Sequence, residues 1–217
     1  MKKLVIFDLD GTLLDTIEDL AAACDAMLTK HDLPTYTIDE YRGFVGNGIL
    51  RLVERAIPES KRTPEYVELL RKDFLKFYFE NIDKKTKIYP GVELLLKHLV
   101  ESGVEIAVAS NKFQEGTRKL VANLFPRFRF SAVLGQRPNI PLKPNPQIVR
   151  EILQITSYAP DTVLYVGDSG VDIQTAKASD VESVGVTWGF RSREELEECG
   201  ADHIVDRAED ILKLVMR

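Results

Sequence analysis

Four short apolar runs constrain this chain more than any other feature: 3–7 (KLVIF), 104–109 (VEIAVA), 162–166 (TVLYV) and 183–187 (SVGVT). They read as near-continuous apolar stretches rather than strict alternations, so each predicts a strand buried on both faces. Weaker runs stand at 131–134 and 203–205. Helical patterns fill the intervals at 92–101, 114–124, 146–156, 171–179, 193–199 and 208–215. This alternation predicts an α/β fold, a doubly wound, Rossmann-like parallel sheet with helices on both faces. Ligands of such sheets bind beyond the carboxyl ends of the strands. The residues that follow each run are therefore the first functional candidates.

The segment 16–82 breaks the rhythm, with helical patterns and no strand run. Asp15 and Glu18 resemble a capping box opening a helix whose Ile17, Leu20, Ala21, Cys24 and Leu28 share one face. A second helix is predicted from Ile49 to Ile57, and a third from Pro64, a residue suited to a first helical turn. The third carries Tyr66, Leu70, Phe74, Phe77 and Tyr78, read as the core of a small bundle. Pro90-Gly91 marks the return to the strand–helix pattern. The expected organisation is an α/β core, 1–15 and 83–217, with a small helical cap, 16–82, inserted after the first strand. Two chain connections between such units can hinge.

Bulk properties narrow the function. The 217 residues suit one large domain or two unequal ones. A net charge of −5 and the lack of a Lys/Arg cluster argue against nucleic acid as a partner. Met1-Lys2-Lys3 followed by an apolar run mimics a signal peptide, but that run ends after four residues at Asp8. No window approaches the roughly 20 apolar residues of a membrane span. Cys24 and Cys199 show no metal or redox spacing and read as buried thiols of a reducing compartment. The expectation is a cytoplasmic protein, monomer or homodimer, with no membrane partner.

After the first run come Asp8 and Asp10, and after the second Ser110, Asn111 and Lys112. The third is followed by Gly167-Asp168-Ser169, with Asp172 one helical turn on. The stretch Val166–Asp172 (VGDSGVD) admits two chemistries, a serine nucleophile at Ser169 or a metal held by Asp168 and Asp172. Lys143 lies in Leu-Lys-Pro-Asn-Pro, too proline-rich for a helix. If Asp8, Asp10, Asp168 and Asp172 converge at one sheet edge, they need cations, because crowded like charges force protonation. A hard divalent ion such as Mg2+ suits oxygen ligands and usually binds substrate phosphate as well. With Lys143 as a second positive charge and Ser110 as a donor, the set suits a phosphoryl group, leaving a carboxylate free as nucleophile.

These motifs resemble those of the haloacid dehalogenase superfamily. Asp8-Leu9-Asp10-Gly11-Thr12-Leu13-Leu14-Asp15-Thr16 is similar to its DxDGTLxDS signature, Ser110 to its second motif and Lys143 to its lysine motif. Gly167–Asp172 is similar to its GD(S/T)xxD motif, and the four stand in the family's order across essentially the whole chain. Thr16 replaces a common Ser, and Ser179-Asp180 a frequent Ala-Gly. Within the superfamily, Phe44–Gly48, Ser110-Asn111-Lys112 and Thr187–Phe190 look like the phosphoglycolate phosphatases.

The resemblance implies that Asp8 attacks phosphorus and that Asp10 serves as acid and then base. It places Mg2+ on the Asp8 and Asp168 side chains and the Asp10 carbonyl, with Asp172 and Ser169 supporting from behind. Ser110 and Lys143 would hold the phosphoryl oxygens, in a phosphate site shared with Gly11, Thr12 and Asn111. The cap loop Gly46-Asn47-Gly48 and Arg51 would meet the rest of a small phosphorylated metabolite. Asp10 argues for phosphoryl transfer, since a halide leaving group needs no acid. Alternatives sharing the motifs are a β-phosphoglucomutase-type phosphosugar mutase and a pyrophosphatase. A non-catalytic phospho-aspartate switch shares the acidic pocket, but such modules lack a large helical insertion after strand one.

Overall fold

The computed structural model describes residues 1–217. The strands are β1 (Leu4–Phe7), β2 (Leu14–Asp15), β3 (Lys87–Ile88), β4 (Glu105–Phe113), β5 (Ala132–Gln136), β6 (Val163–Gly167), β7 (Glu182–Val186) and β8 (His203–Val205). The helices are α1 (Ile17–Lys30), α2 (Ile38–Phe44), α3 (Gly48–Ala56), α4 (Pro64–Asn81), α5 (Val92–Glu101), α6 (Gln114–Leu124), α7 (Gln147–Thr156), α8 (Gly170–Ala178), α9 (Arg193–Glu198) and α10 (Asp210–Val215).

Six strands form one sheet in the order β5-β4-β1-β6-β7-β8, every neighbouring pair parallel. The doubly wound α/β expectation is met. β1 is central and wholly buried, which is why its sequence is an unbroken apolar run. Alternate side chains serve opposite faces: Val5 and Phe7 join one apolar cluster, Leu4 and Ile6 the other. The order reverses at β1, flanked by β4 and β6, and a crevice opens at such a switch point.

α1 to α4 lie between β2 and β3, which pair antiparallel as a two-stranded ribbon. The cluster containing Val5 and Phe7 continues into these helices through Leu20, Cys24, Leu70 and Phe74. α4 begins as its sequence predicts, with Pro64 in the first turn and the Thr63 hydroxyl accepting from the Tyr66 N–H. Its Leu70, Phe74 and Tyr78 are buried, whereas Phe77 is partly exposed.

Two local expectations change. The Asp15–Glu18 capping box does not form: α1 starts after Thr16, and Asp15 pairs with Lys87 in the ribbon. Its carboxylate still accepts from the Ile17 N–H at 3.3 Å, while Glu18 turns outward to Lys85. A capping box instead opens α2, where Thr37 and Glu40 exchange hydrogen bonds. Cys24 is buried as expected, but Cys199 is only half-buried.

Candidate active site

Asp8 is the first residue beyond β1, and the chain turns at Gly11 with φ +87°. A side chain at Gly11 would do more than strain that turn, since its Cβ would stand 2.4 Å from the Asp168 carboxylate. Gly189, in the loop after β7, is equally confined: its Cβ would fall 2.2 Å from that of Asp168. Both glycines leave the room in which Asp168, one residue past β6, reaches the end of β1. Asp168 accepts from the Thr12 hydroxyl at 3.2 Å and from the Phe190 N–H at 2.7 Å. Trp188 fastens the same loop by donating its indole N–H to the Thr12 carbonyl.

Asp172 lies in the first turn of α8 and is fully buried. One oxygen accepts from the Ser169 N–H at 3.1 Å and from its hydroxyl at 2.6 Å. The other accepts from the Lys143 ammonium at 2.8 Å. One carboxylate oxygen from each of Asp8, Asp168 and Asp172 lies within 4.8 Å of the other two.

Lys143 is almost wholly buried, although its proline-rich surroundings read as a surface loop. Its Nζ also donates to the Ala109 carbonyl at 2.9 Å and the Tyr165 hydroxyl at 3.1 Å, and stands 3.0 Å from Asp8. Asn111 holds its backbone, accepting from the Lys143 N–H at 2.8 Å and donating to the Lys143 carbonyl at 3.1 Å.

A second ion pair sits beside the first. Lys112, also buried, places its ammonium 3.0 Å from both Asp10 oxygens. The ring of Tyr78, from α4, lies 4.7 Å from that ammonium. Each carboxylate past β1 therefore has its own lysine.

Burial pushes the Asp8 carboxyl up to about 7; the Lys143 charge opposes this and Asp172 and Asp10 add to it. Asp168 is raised well above the ordinary carboxylate range by burial, then by Asp172 and Asp8, against the Phe190 N–H and Arg191. Burial would lower the Lys143 ammonium, yet the Asp172 and Asp8 charges hold it well above its usual value. These carboxylates have more negative charge than one lysine balances. Asp8, Asp168 and Asp172 together form an acidic group able to hold a divalent cation. Lys143 and Ser169 engage the two Asp172 oxygens, as Thr12 and Phe190 engage those of Asp168.

The structure brings together Asp8, Asp10, Gly11, Thr12, Ser110, Asn111, Lys143, Asp168, Ser169 and Asp172 at the carboxyl edge of β1, β4 and β6. Gly46 and Gly48 line one cavity with Asp8, Asp10, Ser110, Asn111 and Lys112. Asn47 turns its side chain to Arg55 instead, at 2.8 Å. Arg51 is placed outside the cavity, exposed and paired with Glu54 at 2.6 Å. Ser169 N-caps α8, its hydroxyl given to Asp172. Lys112 and Tyr78 received no site role from the sequence. The signal for Lys112 was its place two residues beyond Ser110, since residues two apart on extended chain share a side.

The doubly wound sheet and its acidic, lysine-bearing crevice define a class of α/β proteins able to hold a cation beyond the first strand. Within that class the chain belongs to the haloacid dehalogenase-like hydrolase family, whose sequence profile matches residues 5–186. A phosphoglycolate phosphatase of Pseudomonas putida is 34% identical over 193 residues, 88% of this chain and 71% of that protein. One from Aquifex aeolicus is 32% identical over 213 residues, covering 98% of this chain and 96% of the relative. The fold is similar to a crystal structure of a Lactobacillus delbrueckii protein provisionally assigned as a phosphoglycolate phosphatase. That likeness has a TM-score of 0.93 and 34% identity, and covers 99% of both chains. No helix is long and apolar enough to cross a membrane.

Proposed function

We propose that the protein is a Mg2+-dependent phosphomonoesterase for a small phosphorylated metabolite, with 2-phosphoglycolate as the leading substrate. The observation that carries this reading is the pairing past β1: Asp8 with Lys143 and Asp10 with Lys112, both carboxylates lining one cavity. The relatives named for phosphoglycolate support the substrate. The free cysteines fit the cytoplasm.

In the first step an Asp8 carboxylate oxygen attacks phosphorus. The bond from phosphorus to the ester oxygen breaks, and the leaving alkoxide takes a proton from Asp10. In the second step Asp10, now a carboxylate, takes a proton from water, whose oxygen attacks the same phosphorus. The bond to Asp8 breaks, releasing inorganic phosphate and restoring both aspartates. Acid–base help of this kind contributes roughly 10²–10⁴-fold, so positioning and electrostatics carry most of the acceleration. Lys143 and Ser110 hold the phosphoryl oxygens, with donors from Gly11, Thr12 and Asn111 nearby. Asp172 orients Lys143, and Ser169 fixes Asp172. Mg2+, held by Asp8, Asp168 and the Asp10 carbonyl, would neutralise charge on the phosphoryl group.

Residues 16–82 act in this reading as a cap over a core of 1–15 and 83–217, closing to exclude bulk water. The Gly46 and Gly48 backbone forms its inner lip.

The test is phosphate release with Mg2+ across small phosphomonoesters and pyrophosphate. Preferred turnover of 2-phosphoglycolate supports the reading. Pyrophosphate as the best substrate, or no release from any ester, overturns it.

A further inference from the structure

A small anionic substrate must be told from the many neutral sugar and alcohol phosphates that present the same phosphoryl group. The end that carries the phosphate is accounted for by Lys143 and Ser110. What recognises the other end is decided by what lines the cavity above Asp10.

Its cap-side wall is apolar, formed by Leu20, Val45, Ile49 and Leu52. Such a wall gives sugar hydroxyls no partners, and burying unpaired polar groups is costly. The only cationic side chain in the lining is Lys112. Arg51, the cation nearest in sequence to the cap loop, is turned outward to Glu54. Beside Lys112 lies Tyr78, whose buried hydroxyl has no hydrogen-bond partner.

Lys112 is buried, and the Asp10 carboxylate is the only acceptor its ammonium meets. An ammonium carries three donors, so the bond to Asp10 does not exhaust it. Asp10 in turn must release part of that contact to reach an ester oxygen.

We infer that Lys112 is the specificity-determining residue of this site, its ammonium binding the carboxylate of a phosphorylated 2-hydroxy acid. The inference rests on the phosphomonoesterase reading above and names the group that selects its substrate. The ammonium passes from the Asp10 carboxylate to that of the substrate. Asp10, freed of its cation, takes a proton from solvent and turns toward the ester oxygen as the acid of the first step. In 2-phosphoglycolate one carbon separates the ester oxygen from the carboxylate, so a group touching Asp10 can meet both. A neutral ester leaves Lys112 on Asp10 and gains nothing from it.

The test compares 2-phosphoglycolate with 2-hydroxyethyl phosphate, which keeps the skeleton but replaces the carboxylate by a neutral alcohol. Wild type, Lys112→Met and Lys112→Arg are assayed with Mg2+, and kcat and KM are measured separately. Wild type should favour 2-phosphoglycolate by roughly 100-fold in kcat/KM, the scale of a buried charge pair. Lys112→Met should lose at least tenfold more on 2-phosphoglycolate than on the neutral ester, mainly through KM. Lys112→Arg should recover part of the difference. Residual turnover of the neutral ester reports that the variant is folded, and a melting curve reports it where that turnover is lost. Equal loss on both esters, in kcat, would mean that Lys112 only positions Asp10 and would overturn the inference while leaving the phosphatase reading intact. A wild type that hydrolyses other esters but not 2-phosphoglycolate would overturn the substrate reading, and the inference with it.

Discussion

The side-chain amide of Asn111 grips the backbone of Lys143 from both sides, accepting from its N–H at 2.8 Å and donating to its carbonyl at 3.1 Å. The same amide nitrogen reaches the Gly46 carbonyl of the cap loop at 3.1 Å. One residue thus sets the lysine that meets Asp8 and touches the lip of the cavity. Asn111→Ala would strand buried backbone groups, at a stability cost of about 1–3 kcal/mol. It should also lower kcat/KM by roughly tenfold or more, since a misplaced charge loses its oriented contact. Kinetics on the best phosphomonoester, with a melting curve, check both effects. Unchanged kinetics would show that Lys143 needs no such clasp.

A second expectation concerns cation and stability together. Asp8 and Asp168 are both pushed up by burial and by neighbouring carboxylates, so the metal-free site opposes its own charge. A divalent cation should therefore raise the melting temperature, by about 2–4 °C for each kcal/mol of binding energy. Asp8→Asn removes one of the repelling charges. It should abolish turnover, melt no lower than wild type in EDTA, and respond less to Mg2+. Calorimetric scans with EDTA and with Mg2+ measure this. A variant that keeps its turnover would remove Asp8 from the mechanism.

The main sheet was legible because a strand buried on both faces must be a continuous apolar run, as Leu4–Phe7 and Val163–Gly167 are. The carboxylates were legible because topology places whatever follows such runs at one edge. The end of β4 was harder to read. Ser110, Asn111 and Lys112 are polar, and nothing local shows that the strand continues through them to Phe113. The burial of Lys143 depends on Asn111, 32 residues earlier, so its own proline-rich loop gives no hint of it. α2 escaped notice because of its seven residues only Tyr41 is buried, too few for a periodic signal. Arg51 was placed by its nearness in sequence to Gly48. Its side chain instead pairs with Glu54 one helical turn along, on the outer side.

Ser169 provides a test of the discarded serine chemistry. Its hydroxyl is donated to Asp172 at 2.6 Å, and no histidine is among its hydrogen-bond partners. Ser169→Ala should therefore retain activity within roughly tenfold of wild type and lose about 1 kcal/mol of stability with its cap. Reagents that acylate nucleophilic serines should leave the wild type active. Stoichiometric inactivation with label on Ser169 would reinstate it as a nucleophile.

Arg191 joins the loop after β7 to the helical insertion. Its guanidinium donates to the Arg42 carbonyl at 2.6 Å and the Val45 carbonyl at 2.5 Å, at the end of α2 beside the cavity lip. The adjacent Phe190 N–H donates to Asp168. A single short loop thus holds a carboxylate of the proposed cation site and the end of α2 beside the cavity. Arg191→Met leaves Asp168 its backbone donor but takes two hydrogen bonds from the junction with the insertion, which the proposed cap closure would use. Bonds to a charged donor are worth about 1.5–3 kcal/mol each, so closure should weaken measurably. The expected result is a kcat/KM on small esters lowered by roughly tenfold, with KM rising, and a smaller loss on a bulky aryl phosphate that needs the cap open. Steady-state kinetics on both substrates distinguish this from damage at Asp168, which would depress kcat on both alike and raise the Mg2+ concentration needed for half-activity. An Arg191→Met enzyme with unchanged kinetics on both would show that closure does not rest on Arg191.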